Sequence, residues 1–262
     1  MQRPLLASLI VSLLATAVLL SGIGCGGGGG SGGSDGGGTN GGNPSGVAVL
    51  KLVATPQGST VPRSLGNTVE GEVLTIQALS VDQSGVGTLV PVTSVRSAVP
   101  RSVAAITGNT LTAVGAAPQD YTVTANASGK TITALLHVYA AGTRKTVGGV
   151  VRTSAATGVA GATVRFFSPG DSQPSALAYV GPDGQFSANI PTDATQFSVD
   201  TSEIRDAAGA ELYYSTYMLG DLNYDDNLSC YPALTGSGIP ADAVFILKSS
   251  GTIPPPPTGC GA

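Results

Sequence analysis

His137 is the single histidine of this 262-residue chain, and its position bounds the catalysis the sequence can offer. A serine or cysteine nucleophile needs a neighbouring base, ordinarily histidine. His137 stands within Leu135–Tyr139 and alternates with Leu136 and Val138, which puts it on one face of a sheet as a surface or half-buried side chain rather than a base. Gly-x-Ser-x-Gly occurs only within a glycine-rich stretch, at 29–33 and 32–36, with no strand-to-helix pattern around it, so no nucleophile elbow accompanies His137. A carboxylate pair for glycoside hydrolysis would want aromatic platforms for the sugar, and the chain has no Trp. The expectation is a non-catalytic protein without a cofactor. Tyr213, Tyr214 and Tyr217 form the one aromatic cluster. Strand spacing puts Tyr213 and Tyr217 on one face and Tyr214 opposite, for cross-strand packing or, alternatively, for stacking on sugar or peptide. Asp221, Asn223, Asp225 and Asn227 fall at positions 1, 3, 5 and 7 of a calcium loop, with Leu228 as its apolar eighth residue. Asp226 replaces the glycine of position 6 and Pro232 the acidic ligand of position 12, so a polar surface loop beside Cys230 is the competing reading and no metal is assigned.

Those residues sit in a chain with a marked N-terminus. Arg3 is the one charge before the apolar run Leu5–Leu20, which is too short for the roughly 20 apolar residues of a spanning helix. Ser21–Gly24 is a small-residue stretch, Cys25 follows it, and glycine, serine and asparagine follow Cys25. This order resembles the export signal of bacterial lipoproteins. Gly24 matches the small residue before the lipidated cysteine, and Gly22 stands where that family has leucine. The resemblance implies cleavage before Cys25, lipid on Cys25, and a mature chain held to a membrane of the bacterial cell envelope. Gly26 after Cys25, where an inner-membrane retention aspartate stands in many such proteins, implies outer-membrane delivery wherever an outer membrane exists. An ordinary cleaved signal or an uncleaved anchor are the alternatives, and both still leave the rest of the chain outside the cytoplasm. With Cys25 lipidated, Cys230 and Cys260 remain as an even pair in an oxidising compartment and are expected to form a disulfide. Pro254–Pro257 would extend as polyproline II before Cys260.

Composition sets the rest. Only 11% of residues are charged, 38 are Gly and 17 are Pro, and Thr, Val, Ser and Ala dominate the body, a mixture that makes strands and turns rather than helices. The net charge of −4 gives no basic footprint, so nucleic acid is not an expected partner. Charge is uneven: 47–141 holds 4 acids and 5 Lys and Arg, a balance of +1, whereas 143–262 holds 11 acids and 6 Lys and Arg, a balance of −5.

The chain divides into a signal (1–24), a Gly/Ser-rich tether (25–46) and two β-rich segments, 47–141 and 143–262. As a random coil the tether reaches on the order of 25 Å. In the first segment Val47–Ala54, Glu72–Val81, Thr110–Val114, Tyr121–Asn126 and Thr131–Tyr139 alternate apolar and polar residues, with Val47, Val49 and Leu52 as the apolar positions of the first and Leu74, Ile76 and Ala78 pointing inward from the second. Gly108–Asn109, 117–120 and 126–129 are turn clusters. Strands at this spacing predict a β-sandwich. Ser102-Val-Ala-Ala-Ile-Thr-Gly-Asn-Thr-Leu-Thr-Ala-Val-Gly, continuing to Tyr121-Thr-Val-Thr-Ala, resembles the bacterial Ig-like group 2 domains, although their usual Trp is missing near Ser94.

In the second segment Val147-Gly-Gly-Val-Val, Gly158-Val-Ala-Gly-Ala-Thr-Val and Gly181-Pro-Asp-Gly-Gln-Phe resemble, in order and spacing, the carboxypeptidase regulatory-like domain with its transthyretin-like (prealbumin-like) sandwich. Here Ala162, Val164 and Phe166 share a face, Pro182–Gly184 turns the chain, and Gln185–Ile190 is a strand. Glu211–Leu219 and Ala243–Lys248 read as further strands of a C-terminal extension. The expected fold class is all-β, with two tandem sandwiches joined near Ala140–Arg144. Both resemblances imply non-catalytic modules for adhesion, ligand binding or envelope architecture, with an unidentified surface protein or glycan as partner. A carbohydrate-binding accessory of an extracellular enzyme system is the alternative.

Overall fold

The structure is a computed structural model and describes residues 46–225, 231–248 and 252–259. The protein is all-β, and its sheets pack face to face as sandwiches. The first half holds β1 (Val47–Pro56), β2 (Thr68–Val69), β3 (Val73–Asp82), β4 (Gly87–Pro91), β5 (Thr93–Ser97), β6 (Ala104–Thr107), β7 (Thr110–Ala113), β8 (Tyr121–Ala127), β9 (Lys130–Leu136) and β10 (Val138–Tyr139). The second half holds β11 (Arg144–Thr153), β12 (Thr163–Phe167), β13 (Ala176–Tyr179), β14 (Gln185–Pro191), β15 (Gln196–Asp200), β16 (Tyr213–Leu219), β17 (Leu222–Tyr224) and β18 (Ala243–Leu247). No helix among the described residues is long and apolar enough to cross a membrane.

Turn chemistry sets the hairpins. Ser128 and Gly129 both adopt positive φ (49° and 73°), the geometry of a tight two-residue turn that matches strand twist, and they join β8 to β9. Pro182, Asp183 and Gly184 (φ 82°) turn the chain into β14, with Gly184 N–H bonded to the Gly181 carbonyl at 3.0 Å. A Cβ at Gly184 would approach the Val151 carbonyl oxygen to 2.6 Å, so only glycine fits.

In the first half β1-β3-β7-β6, with β4 also on β3, faces β5-β8-β9, and the β2–β10 pair closes one end. In the second half β14-β11-β18-β16-β17 faces β13-β12-β15. The C-terminal extension is therefore part of the sheet: β18 lies between β11 and β16, parallel to β11. No strand ladder runs between the halves, and the strand pairing changes partners across the turn Ala140–Thr143, where Thr143 N–H bonds the Ala140 carbonyl at 3.3 Å.

The β1–β3 pair is buried on both faces. Leu52, Ala54, Leu74, Ile76 and Ala78 pack into the first half's core. Val49, Val53, Leu79 and Val81, on the opposite face by the period of two, pack into the second half's core. The expected grouping of Val49 with Leu52 is thus corrected: the two side chains serve different cores. β2, β4, β5 and β6 have no counterpart in the expected strands, and the expected Thr131–Tyr139 strand breaks at His137 into β9 and β10.

A polar network also bridges the halves. Asn189 on β14 is 3% exposed. Its amide donates to the Asn67 carbonyl and to Glu72 Oε1, both at 3.0 Å, and its Oδ1 accepts from Thr146 at 2.8 Å. Arg63 pairs with Glu72 at 2.7 Å and donates to Ser187 at 3.1 Å, and Asn67 donates to the Leu177 carbonyl. Buried polar groups without such partners would each cost about 1–3 kcal/mol.

Candidate functional site

A cleft of about 720 Å³ opens along the junction. One wall comes from β1, β9 and the single 3-10 turn Leu65–Asn67 of the first half. The other comes from β12, β13, Asp200 and Glu203 of the second. At its base Lys51 is only 13% exposed at the side chain, yet its ammonium is fully satisfied. It meets Glu203 at 2.6 Å, Thr163 Oγ1 at 2.7 Å and the Gly161 carbonyl at 3.3 Å, and it lies 4.5 Å from the centre of the Tyr179 ring. Arg165 pairs with Asp200 on the neighbouring strand β15. Burial, and after it the charge of Glu203, raises the Tyr179 phenol above its ordinary value, so it stays a neutral hydrogen-bonding group.

His137 lies beside this cleft. Its Nδ1 is 2.7 Å from Asp120 Oδ1, and its ring packs 4.3 Å from the Tyr139 ring. Tyr139 and Asp120 line the cleft, and the Arg144 guanidinium covers the Tyr139 ring at 3.4 Å. Burial lowers the Arg144 value, partly offset by Tyr139 and Asp193. An acid–histidine pair thus exists that sequence reasoning missed. Its signal, Asp120 at the end of the loop before β8, is visible only once β10 returns beside that loop. Among the described residues no serine or threonine hydroxyl hydrogen-bonds the His137 ring.

Tyr213 and Tyr217 point into the core, as the spacing of their strand implies. Tyr217 stacks on Phe245 at 5.2 Å and on Tyr224 at 6.1 Å, and Tyr213 meets Phe245 edge-on at 6.3 Å. Burial raises the Tyr213 phenol. Neither can stack on a ligand. Tyr214 faces the other way, half-exposed, with Lys248 at 5.9 Å from its ring.

Of the calcium-loop candidate, the structure describes Asp221 to Asp225 and, beyond the gap, Tyr231 and Pro232. Gly220 and Asp221 form a two-residue turn, and Leu222–Tyr224 is an extended strand paired with β16. Extended backbone separates alternate residues by about 6.6 Å and does not curl them around an ion. Asn223 is buried, and its backbone is bonded to Thr258 and Gly259. No cluster of three or more His, Cys, Asp or Glu converges among the described residues. Asp226, Asn227, Leu228, Cys25, Cys230 and Cys260 lie outside the described residues.

No protein-family model matches the chain, and a search of curated proteins found no similar sequence.

Proposed function

We propose that this chain is a lipid-anchored protein of the bacterial cell envelope whose two sandwich halves act outside the cytoplasm without catalysis, in adhesion, ligand binding or envelope architecture. The observation that carries the non-catalytic part is the pairing within the cleft. Lys51 is held by Glu203 and Arg165 by Asp200, and beside the cleft the His137–Asp120 pair has no serine or threonine hydroxyl on its ring among the described residues to serve as a nucleophile. The Gly24–Cys25 junction after the apolar run supports the anchor, and the Ig-like and carboxypeptidase regulatory-like motifs support the module assignment. Incorporation of labelled palmitate, lost in Cys25→Ser, tests the anchor, and an unmodified N-terminus elsewhere overturns it. Pull-down of envelope material by the protein tests the binding role. Hydrolysis of any polymer, abolished by His137→Ala, would overturn the non-catalytic reading.

A carbohydrate-binding accessory is the second reading. The Tyr179 ring on the cleft wall favours it. Glycan-array binding that disappears in Tyr179→Ala or Tyr214→Ala would select it over a protein partner.

The same proposal includes a Cys230–Cys260 disulfide that staples the C-terminus. Its support is local. Thr258 and Gly259, just before Cys260, donate to the Asn223 carbonyl at 3.0 and 2.8 Å, seven residues before Cys230 in sequence. Tyr231, just after Cys230, stacks on Phe167 at 4.4 Å. The chain-entropy model gives such a loop about 3.5 kcal/mol. Two reactive thiols in the folded, oxidised protein would remove the staple.

A further inference from the structure

The first half has a second opening, on the side away from β1 and β9. β5 and β6 are each the outermost strand of their sheet, so each leaves one row of backbone N–H and C=O groups unpaired by a neighbouring strand. Between them runs a groove, about 520 Å³ at one end and about 540 Å³ at the other, with Val95 and Ile106 common to both parts. Arg96, from β5, and Arg101, from the Pro100–Val103 turn that leads into β6, line it. Seven arginines lie among the described residues. Arg63, Arg152, Arg165 and Arg205 pair with carboxylates, and Arg144 is packed over Tyr139. Arg96 and Arg101 are exposed and have no such partner, and no acidic side chain lines either part of the groove.

The strand edge is shaped as well as charged. The register of β5 on β8 slips between Thr93 and Arg96, and Ser94 takes a left-handed φ of 55°. A bulge of this kind re-aims the side chains that follow it and is frequent at edges that bind. The groove has no aromatic lining residue, so a sugar ring finds nothing to stack on. An extended peptide does find matching groups: backbone partners along the β5 or β6 edge, and a guanidinium fork on each side for its carboxylates.

We propose that the β5–β6 groove docks an extended acidic polypeptide segment as an added strand, with its carboxylates on Arg96 and Arg101. The groove lies apart from the cleft at the junction, and the proposal stands whether or not Cys25 carries lipid.

The test is fluorescence anisotropy with the full-length protein in non-ionic detergent and a labelled peptide of alternating Glu and Val. Binding should be saturable and should weaken steeply with added salt. An alternating Gln and Val peptide should bind about tenfold or more weakly, and Arg96→Gln and Arg101→Gln should each cost about tenfold. Arg96→Lys with Arg101→Lys, which keeps the charge and loses the fork, should fall between. A Glu–Val peptide N-methylated at alternate backbone nitrogens keeps its carboxylates and should lose binding in at least one of the two methylation registers. Four results overturn the proposal: no binding of the Glu–Val peptide, affinity unchanged in the double Gln variant with its melting curve intact, full binding by both N-methylated peptides, or tighter binding of polygalacturonate than of the peptide.

Discussion

The junction cleft and the β5–β6 groove carry similar side chains put to different uses. In the cleft, Lys51 and Arg165 have their carboxylates supplied by the protein itself. In the groove, Arg96 and Arg101 have none. The cleft lies where two cores meet across the β1–β3 pair, and a cation there must be satisfied because it is partly desolvated. The groove lies at a free sheet edge, where water satisfies an exposed guanidinium until a partner replaces it. The cleft's cations are paired within the fold, and the groove's two arginines have no carboxylate partner.

The comparison breaks first at the shared sheet. Leu79 is fully buried on the face of β3 that serves the second half's core. Leu79→Ala should cost about 4 kcal/mol, near the upper range for a buried leucine, because neither core can close the cavity alone. Urea denaturation followed by tyrosine fluorescence measures it. The variant should also separate one unfolding transition into two, as the halves lose their common layer. A loss below about 1 kcal/mol would mean that the halves merely touch.

The next effect is in the bridging network. Asn189→Ala removes the amide that meets the Asn67 carbonyl, Glu72 and Thr146. It should cost about 2–3 kcal/mol, since the Asn67 carbonyl loses its side-chain donor and the Thr146 hydroxyl its acceptor. Thermal melting of the variant gives the value.

The limits of the sequence show in these same residues. Leu74, Ile76 and Ala78 were legible as core because alternation is local. The burial of Leu79 and Val81 on the other face was not, because it depends on a second half whose residues begin more than sixty positions later. Turns at Gly108–Asn109 and Pro182–Gly184 were legible from residue type alone. β5 was not, because a bulge at Ser94 breaks its period. Tyr213 and Tyr217 were legible as one face. The Lys51–Glu203 and His137–Asp120 pairs were not, since sequence spacing holds no information on which loops return to which strands.

A smaller effect sharpens the electrostatics of the cleft. Burial first, and the charge of Glu203 second, raise the Tyr179 phenol. A raised folded value favours the protonated phenol in the fold. The stabilisation it represents is therefore complete below the ordinary tyrosine value near 10 and is lost as pH rises through the folded value. Glu203→Gln should move the Tyr179 titration back toward, but not to, the ordinary value, because burial remains. Glu203 is 61% exposed at the side chain, so the change in stability at neutral pH should stay within about 1 kcal/mol. The difference in alkaline absorbance titration between the protein and its Tyr179→Phe variant, repeated in the Glu203→Gln background, isolates this group.

The smallest expected effect lies in the groove and separates the two regions most sharply. Arg96 and Arg101 make no ion pair in the fold, and both are exposed. Replacing both with Gln should change stability by no more than about 0.5 kcal/mol in either direction. Arg165→Gln, by contrast, leaves Asp200, only 13% exposed at the side chain, without its cation, and should cost about 1–2 kcal/mol. Melting all three proteins side by side at low and at high salt tests the contrast. If the Arg96→Gln/Arg101→Gln protein melts as far below the wild type as Arg165→Gln does, the groove arginines hold the sandwich edge together. The distinction between structural and unpaired charge then fails for this fold.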